Sequence, residues 1–406
     1  MNRENKFLIV ILAVLVLSVL LTSVLIVYLI AARQQESVDS AEPQEDLALL
    51  LTPTEPTGES RIAYVTDQSD ENEFSAIYVM DADGSHRQRL VESEDGICMF
   101  PSWAPDGQKI AYLIHTPGED GELWDGNDRF EVWVAPLDGS AHIRISDAIP
   151  SIHQVHPVTW SPDGARLAVL AEVEEDITET LFVIWVDGSE VGYSIPLDFW
   201  AIEMMLWSPT GEELLFMPET DTTRMTVHLL SLEDRHVIPI YEVGMLDSWG
   251  WGVPLDWSPD GTEFAVANPL AQEVLIVGTD GELRRAAQIP SGFPVEIAWS
   301  PNGAYIAVSV SAEMLDAGDI SDMTLHILET ETLEPAAVFH EEEGMMTLLD
   351  WSSDSNRLLF TALFETPEGW LSADSLWICD ITSGALEQLA TGGGDDQVDE
   401  MGVWSP

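Results

Sequence analysis

Lysine is almost missing from this chain. Of 406 residues only Lys6 and Lys109 are lysine, and Lys and Arg together number 15 against 72 Asp and Glu. The resulting formal charge of −57 excludes nucleic acid as a partner and argues against anionic headgroups, since both need a basic surface that releases counterions. It favours cationic partners, divalent ions in bulk, simple solubility or a salt-rich habitat, and composition does not separate these. Cysteine is scarce too: Cys98 and Cys379 are the pair present, compatible with an oxidising compartment without demanding a bridge. Catalytic signatures are also lacking. There is no Gly-x-Ser-x-Gly elbow, no phosphate loop, no Gly-x-Gly-x-x-Gly and no His-Glu-x-x-His; His340-Glu-Glu-Glu-Gly344 begins like the last but lacks its second His.

One long apolar run stands out. Phe7 to Ile30 carries no charge, and at about 1.5 Å per helical residue it exceeds a hydrocarbon core of roughly 30 Å. It reads as a transmembrane helix. A cleaved signal peptide would have a shorter apolar region and a small-residue cleavage site, for which Ala31-Ala32 is a weak match, so residues 7–32 are expected to be an uncleaved signal anchor. No Cys stands near the run, which excludes a lipoprotein anchor there. Arg3 and Lys6 precede it and Arg33 alone follows closely, so residues 1–6 are expected in the cytoplasm and the rest outside. Residues 33–60 read as an acidic, disordered stalk. From Gln34 to Ser60 there are seven acids, no bases and three prolines, a self-repelling composition. Leu47 and Leu49-Leu50-Leu51 interrupt the stalk as a few apolar linker residues.

From residue 61 the chain repeats itself. Trp103-Ala-Pro-Asp-Gly107, Trp160-Ser-Pro-Asp-Gly164, Trp207-Ser-Pro-Thr-Gly211, Trp257-Ser-Pro-Asp-Gly261, Trp299-Ser-Pro-Asn-Gly303 and the degenerate Trp351-Ser-Ser-Asp-Ser355 precede a final Trp404-Ser405-Pro406. The Trp positions lie 57, 47, 50, 42, 52 and 53 residues apart, which matches a four-stranded propeller blade. Ser-Pro-Asp-Gly suits a type I turn between an apolar strand ending in Trp and an exit strand such as Ile110-Ala-Tyr-Leu-Ile114 or Ile306-Ala-Val308. Third strands such as Ile77-Tyr-Val-Met80 follow, then a polar fourth strand such as His86-Arg-Gln-Arg-Leu90 that protects an exposed edge. The first unit, starting at Arg61-Ile-Ala-Tyr-Val65, lacks its Trp strand, whereas Gly402-Val-Trp-Ser-Pro406 is a Trp strand without its blade. Joined, they make one blade and close the ring. The expected fold is therefore all-β: a seven-bladed β-propeller of four-stranded antiparallel blades over residues 61–406, preceded by one N-terminal transmembrane helix.

The order Trp-Ser-Pro-Asp-Gly, Ile-Ala-Tyr, Ile-Tyr-Val-Met-Asp-Ala-Asp-Gly-Ser resembles the TolB-like, WD-like propeller repeat of bacterial envelope proteins and of propeller domains attached to some peptidases. The resemblance covers about Arg61 to Pro406. It implies a fold, and a binding role at the cell envelope, without implying an activity. Relatives carry an α/β domain before the propeller or a hydrolase domain after it, and in these residues neither is expected.

Candidate sites are few. Cys98, just before an innermost strand, and Cys379, on a third strand a blade away, are expected as separate buried thiols. His153 and His156 have a metal-like spacing but stand in an expected loop without a carboxylate partner, so they read as structural. Asp81-Ala-Asp-Gly84 begins like a calcium loop yet reads as a turn. Glu119 to Asp128 is dense enough in oxygens to bind calcium weakly, and no other cofactor or metal is expected. Carboxylates are too abundant for a glycosidase-like pair to be informative. Of 15 tryptophans, seven mark the repeat and Trp133, Trp185 and Trp377 sit in third strands. The other five, Trp124, Trp200, Trp249, Trp251 and Trp370, fall in connections that strand alternation sends to one face, together with Met204-Met205 and Met345-Met346. That face is the expected binding surface, since aromatic and Met residues on loops of a rigid scaffold favour binding. The expectation is a non-catalytic protein- or peptide-binding scaffold anchored in the membrane. The alternative is an extracytoplasmic hydrolase or lyase acting on glycans through paired carboxylates.

Overall fold

A proline locked near −65° and a glycine free to adopt positive φ bend the chain sharply after five of the seven repeat tryptophans. In the computed structural model Gly107, Gly164, Gly211, Gly261 and Gly303 all have φ between 63° and 77°. Their N–H groups donate to the carbonyls of Ala104, Ser161, Ser208, Ser258 and Ser300 at 2.8–2.9 Å, which closes each β-turn. The structure describes residues 60–405 apart from 68–74, 94–95, 119–127, 150–151, 156–157, 174–178, 189–190, 198, 200–201, 219–223, 245–253, 290–291, 312–322, 341–343, 366–370 and 392–396. The apolar run Phe7 to Ile30 lies outside them, and among the described residues no helix is long and apolar enough to cross a membrane.

The strands form seven antiparallel sheets, six of them ordered outward in sequence order and one beginning with the last strand of the chain. Their innermost strands are Ile97–Trp103, Ile202–Trp207, Leu255–Trp257, Phe293–Trp299, Gly344–Trp351 and Gln397–Trp404, while the blade after Ile97–Trp103 has its innermost strand split into Ile152–Val155 and Thr159–Trp160. Numbering blades from the amino-terminal side, the first blade takes Gln397–Trp404 from the carboxyl-terminal end and adds Arg61–Asp67, Ser75–Asp81 and Gln88–Glu92. Ile62 pairs with Trp404, Ala63 with Val403 and Tyr64 with Gly402. Ser405 fastens the same junction, its N–H donating to the Arg61 carbonyl at 2.7 Å and its Oγ accepting from the Arg61 N–H at 2.8 Å. This is the ring closure expected from the two partial units.

The exit strands pack on both faces because a neighbouring blade lies on each side. Ala63, Ala111, Ala168, Ala265 and Ala307, and the larger Leu215 and Leu359 at the same place, are all fully buried. Apolar clusters span every seam: Ala111 with Val169, Leu170 with Phe216, Leu215 with Phe264, Ala265 with Ile306, Ala307 with Phe360, Leu359 with Ile62, and Val65 with Tyr112. The seven repeat tryptophans are 3–7 % exposed and belong to these clusters or seams. Hydrogen bonds repeat the seam pattern. The indole N–H of Trp160 donates to the Ser102 carbonyl at 3.0 Å, that of Trp257 to Leu206 at 3.2 Å, and that of Trp351 to Ala298 at 3.0 Å. In each case the acceptor immediately precedes the Trp of the blade before.

Three details differ from the reading of the sequence. His153 stands on the strand Ile152–Val155 rather than in a loop, while His156 lies outside the described residues. Cys98 lies within the innermost strand Ile97–Trp103; it and Cys379 are free and buried, as expected. The fourth strand of the second blade is only Ile143–Arg144, and the 3₁₀ helix Ile145–Ala148 follows it, pressing Ile145 into the core. The innermost strands also carry register shifts, for instance between Met99 and Ser102, Pro294 and Glu296, and Leu348 and Asp350. Such bulges add local twist.

Deleting Gly402 to Pro406 removes the strand that pairs with Ile62, so the truncated protein is expected to melt far below the full chain or to aggregate. An unchanged thermal midpoint would refute the closure. Trp160→Ala and Trp299→Ala are expected to cost about 3–5 kcal/mol each as buried aromatic truncations, read from denaturant melts.

Candidate functional site

Strand direction divides the propeller into two faces. The tight-turn face carries the Pro-Asp dipeptides, exposed at Pro105-Asp106, Pro162-Asp163, Pro259-Asp260 and, with Asn, Pro301-Asn302. The turns stack head to tail around the ring. Gly164 abuts Pro105, Gly211 abuts Pro162, and Gly261 abuts Pro209, each close enough that a Cβ on the glycine would lie 3.6 Å from the proline Cδ. The aspartates act inside their own turns. Asp163 Oδ1 accepts from Ser161 Oγ at 2.5 Å and from the Ala165 N–H at 3.0 Å. Asp260 does the same with Ser258 at 2.8 Å and Thr262 at 3.0 Å. The Ser161 hydrogen bond first of all holds the Asp163 carboxyl below its ordinary range, and the Thr262 N–H does so at Asp260. Asn302 fills the same role, its Oδ1 accepting from Ala304 N–H at 2.9 Å, so the turn needs the oxygen rather than the charge.

At the opposite face end the strands whose connections hold the five non-repeat tryptophans. Thr116 and Arg129 flank the connection of Trp124, Glu365 and Leu371 that of Trp370, Pro196 and Ile202 that of Trp200, and Gly244 and Leu255 that of Trp249 and Trp251. All of these strand ends share one side of the ring, because each connection joins a second to a third strand or one blade to the next. Trp124, Trp200, Trp249, Trp251 and Trp370 themselves lie outside the described residues. Met204 and Met205 do not belong to that surface: both are on Ile202–Trp207, Met205 buried in the seam cluster and Met204 packed against the next one. Their alternation along a bulged strand sends them to the two blade faces. Met345 and Met346 lie on the strand Gly344–Trp351.

Beside the connection of Trp124 lies a fully buried His–Asp hydrogen bond. His115 Nε2 meets Asp128 Oδ2 at 2.6 Å with neither side chain exposed, and the His115 ring stacks on Phe130 at 4.4 Å. Asp128 Oδ1 accepts from the Gly118 N–H at 3.2 Å. Asp128 thus turns its carboxylate inward, and it is not available as a calcium ligand on the acidic connection from Glu119; residues 119–127 lie outside the described residues.

Around the axis, carboxylates bridge one blade to the next. Asp256 Oδ1 accepts from the Trp257 N–H at 2.8 Å and its Oδ2 from the Trp299 N–H of the following blade at 2.7 Å. Asp350 repeats this with Trp351 at 2.7 Å and Trp404 at 3.1 Å. Glu296 Oε2 accepts from Leu348 N–H at 2.6 Å and Ser309 Oγ at 3.0 Å. These three residues therefore latch the fifth, sixth, seventh and first blades in series. Burial pushes the Asp256 carboxyl up to about 7 against the opposing pull of the Trp299 and Trp257 N–H groups, with the Asp350 charge raising it further. Burial likewise pushes Asp350 up to about 6, against Trp404 and Trp351. In both aspartates the oxygens face main-chain donors. The pair fits a latch between blades better than an acid and base turned toward a substrate. Its signal was present in the sequence as Asp-Trp-Ser at Asp256 and Asp350, where other repeats have Ser, Thr, Leu, Ala or Val before the Trp.

Known proteins share this architecture. A family model described as the TolB beta propeller domain matches residues 50–315. The chain belongs to that family. It is 25% identical over 224 residues to the uncharacterized peptidase YuxL of Bacillus subtilis (strain 168), covering 53% of this chain and 30% of that protein. It is 44% identical over 66 residues to the Tol-Pal system protein TolB of Marinomonas sp. (strain MWYL1), covering 16% of this chain and 15% of that protein. The chain thus spans less than a third of the length of these curated relatives. Among solved structures, TolB from Acinetobacter baumannii superposes with a TM-score of 0.50 at 16% identity, covering 86% of this chain and 67% of the other. A putative 6-phosphogluconolactonase from Bacteroides uniformis ATCC 8492 superposes at 0.52 with 13% identity, covering 86% and 99%. At such identities these two likenesses show the fold alone.

The latch has a pH signature. A carboxyl whose folded value is raised from 3.8 to about 7 binds its proton more tightly in the folded than in the unfolded chain, so its stabilisation is complete below the ordinary value and is lost as pH rises through about 7. Between pH 4 and 8 the native chain is expected to lose at least about 1 kcal/mol more than Asp256→Asn, since each tenfold tightening of proton binding is worth about 1.4 kcal/mol. Urea melts of both proteins across that range decide it; parallel curves would remove Asp256 as a titrating latch.

Proposed function

We propose that this protein is a membrane-anchored, extracytoplasmic propeller that binds a protein or peptide at the cell envelope and carries out no catalysis of its own. Membership of the TolB beta propeller domain family supports a protein-binding scaffold. The observation that carries the reading is the asymmetry of the ring: one face consists of stacked tight turns whose polar groups are spent on each other, and the other receives the longer connections holding Trp124, Trp200, Trp249, Trp251 and Trp370. Loops presented by a rigid scaffold are where binding side chains concentrate. The uncharged run from Phe7 to Ile30 supplies the anchor in this proposal, and the preceding Arg3 and Lys6 put the amino terminus in the cytoplasm.

A second reading, hydrolysis, draws on similarity to a protein whose name includes peptidase, a match that covers 30% of that protein. The sequence carries none of the hydrolase signatures named above, and Asp256 and Asp350 are engaged by backbone donors.

Capture of partners from the organism's own envelope fraction, with a glycan array in parallel, tests both readings. For a captured partner, Trp200→Ala and Trp251→Ala are expected to weaken binding by about 2 kcal/mol or more, as aromatic hot spots do. The triple variant Asp106→Asn, Asp163→Asn, Asp260→Asn is expected to bind normally, since Asn302 already serves the same turn. Loss in the triple variant alone would move the site to the tight-turn face, and release of cleaved product would establish the hydrolytic reading instead.

A further inference from the structure

The hairpin between the second and third strands of the second blade is tied at its open end. Lys109–Thr116 and Arg129–Pro136 pair throughout, with Thr116 opposite Arg129 as the last rung and His115 opposite Phe130 as the one before it. Beyond that last rung Asp128 grips both sides of the connection. Its Oδ1 accepts from the Gly118 N–H at 3.2 Å, and its Oδ2 accepts from His115 Nε2 at 2.6 Å. A carboxylate only accepts, which assigns an imidazole proton to Nε2. His115 is in turn held flat on Phe130, with ring centroids 4.4 Å apart and planes 4° from parallel. Neither His115 nor Asp128 has an exposed side chain. The pair is sealed from solvent and can act only through what it holds.

The connection beyond it has a reason to need tying. Glu119, Asp120, Glu122 and Asp125 lie between Gly118 and Asp128 with no Lys or Arg among them, and like charges along a linker repel and extend it. Trp124 stands within that acidic run. Holding the two ends of a segment together removes conformational freedom that a partner would otherwise have to remove on binding. A large aromatic on a restrained segment therefore binds at a smaller entropic cost than the same side chain on a free one. The connection of Trp200 has a similar foot. Phe199, its neighbour in sequence, lies 4.8 Å from the His228 ring and 5.6 Å from Phe216, and His228 Nδ1 donates to the Thr226 carbonyl at 2.9 Å. A histidine fixed by an oxygen and packed on a phenylalanine thus recurs where a tryptophan connection leaves the scaffold.

We propose that Asp128, oriented by His115, is a positioning residue of the partner-binding face: it ties together the two ends of the connection that carries Trp124, so that this tryptophan is offered from a fixed base. This role rests on the reading of that face as the binding surface, but its test needs no partner.

The test is fluorine NMR of the full chain in detergent micelles, with Trp124 alone replaced by 5-fluorotryptophan, together with hydrogen exchange of the segment 117–128 read by mass spectrometry. Asp128→Ala is expected to speed exchange in that segment about ten-fold or more, the mark of a local opening, and to narrow the fluorine line. His115→Phe, which keeps an aromatic ring on Phe130 but removes the donor, is expected to move both signals in the same direction by less. Asp128→Asn, which keeps an acceptor for Gly118, is expected to restore most of the native protection. Trp299→Ala, which weakens the distant sixth blade, is the control for general loss of stability and is expected to leave both signals unchanged. Unchanged exchange and line width in a folded Asp128→Ala protein would overturn the assignment, as would an equal change in Trp299→Ala. Should Asp128→Ala fail to fold, His115→Phe decides by the same two criteria. Failure to capture any envelope partner would remove the binding reading and leave these signals as they are, so the two failures are told apart.

Discussion

The contact that the rest of this structure depends on is the one between neighbouring innermost strands. A blade alone is a twisted four-stranded sheet with apolar side chains on both faces, and neither face can remain in water. Each blade is covered by the next, and the ring must close for the last face to be covered. The repeat Trp packs its ring into the seam, and Trp160, Trp257 and Trp351 also donate their indole N–H to the carbonyl that precedes the Trp of the blade before. Pairing Ile62 with Trp404 brings the same seam to the junction of the chain's two ends.

Acid content, which dominates the composition, is handled in two different ways. On the tight-turn face, aspartates such as Asp163 and Asp260 are held charged by Ser, Thr and backbone donors within the same turn, and their repulsion is spread around an exposed circle. Near the axis, Asp256, Glu296 and Asp350 cross from blade to blade and take main-chain N–H groups that the inner edge would otherwise leave without a sheet partner. The cost is desolvation, visible in the upward shift of both aspartates. The gain is a satisfied strand edge, which matters because a buried backbone N–H without an acceptor is expensive.

These arrangements also bear on function. Carboxylates committed to latching blades are poor candidates for acid and base chemistry, and turn aspartates committed to their own backbone are poor cation ligands.

The number of blades, their strand order, the position of the turns and the closing strand were all legible from Trp spacing and turn chemistry, because each depends on residues a few positions apart and on a period of about fifty. The same holds for the small, buried residue in second strands and for the two separate thiols. The short fourth strand followed by Ile145–Ala148, the split innermost strand of the third blade and the true place of Met204 and Met205 were not legible, since bulges and frayed strands follow from packing at the seam rather than from local pattern. The five tryptophans stand out by elimination, and they lie outside the described residues. The sequence marks Asp256 and Asp350 by an acid before the repeat Trp, but which blade each one latches belongs to the tertiary structure. Asp256 meets Trp299 across 43 residues and Asp350 meets Trp404 across 54, while Arg61 is fixed by Ser405 across 344. No sequence window holds both members of such a pair; only the closing of the ring brings them within hydrogen-bonding distance.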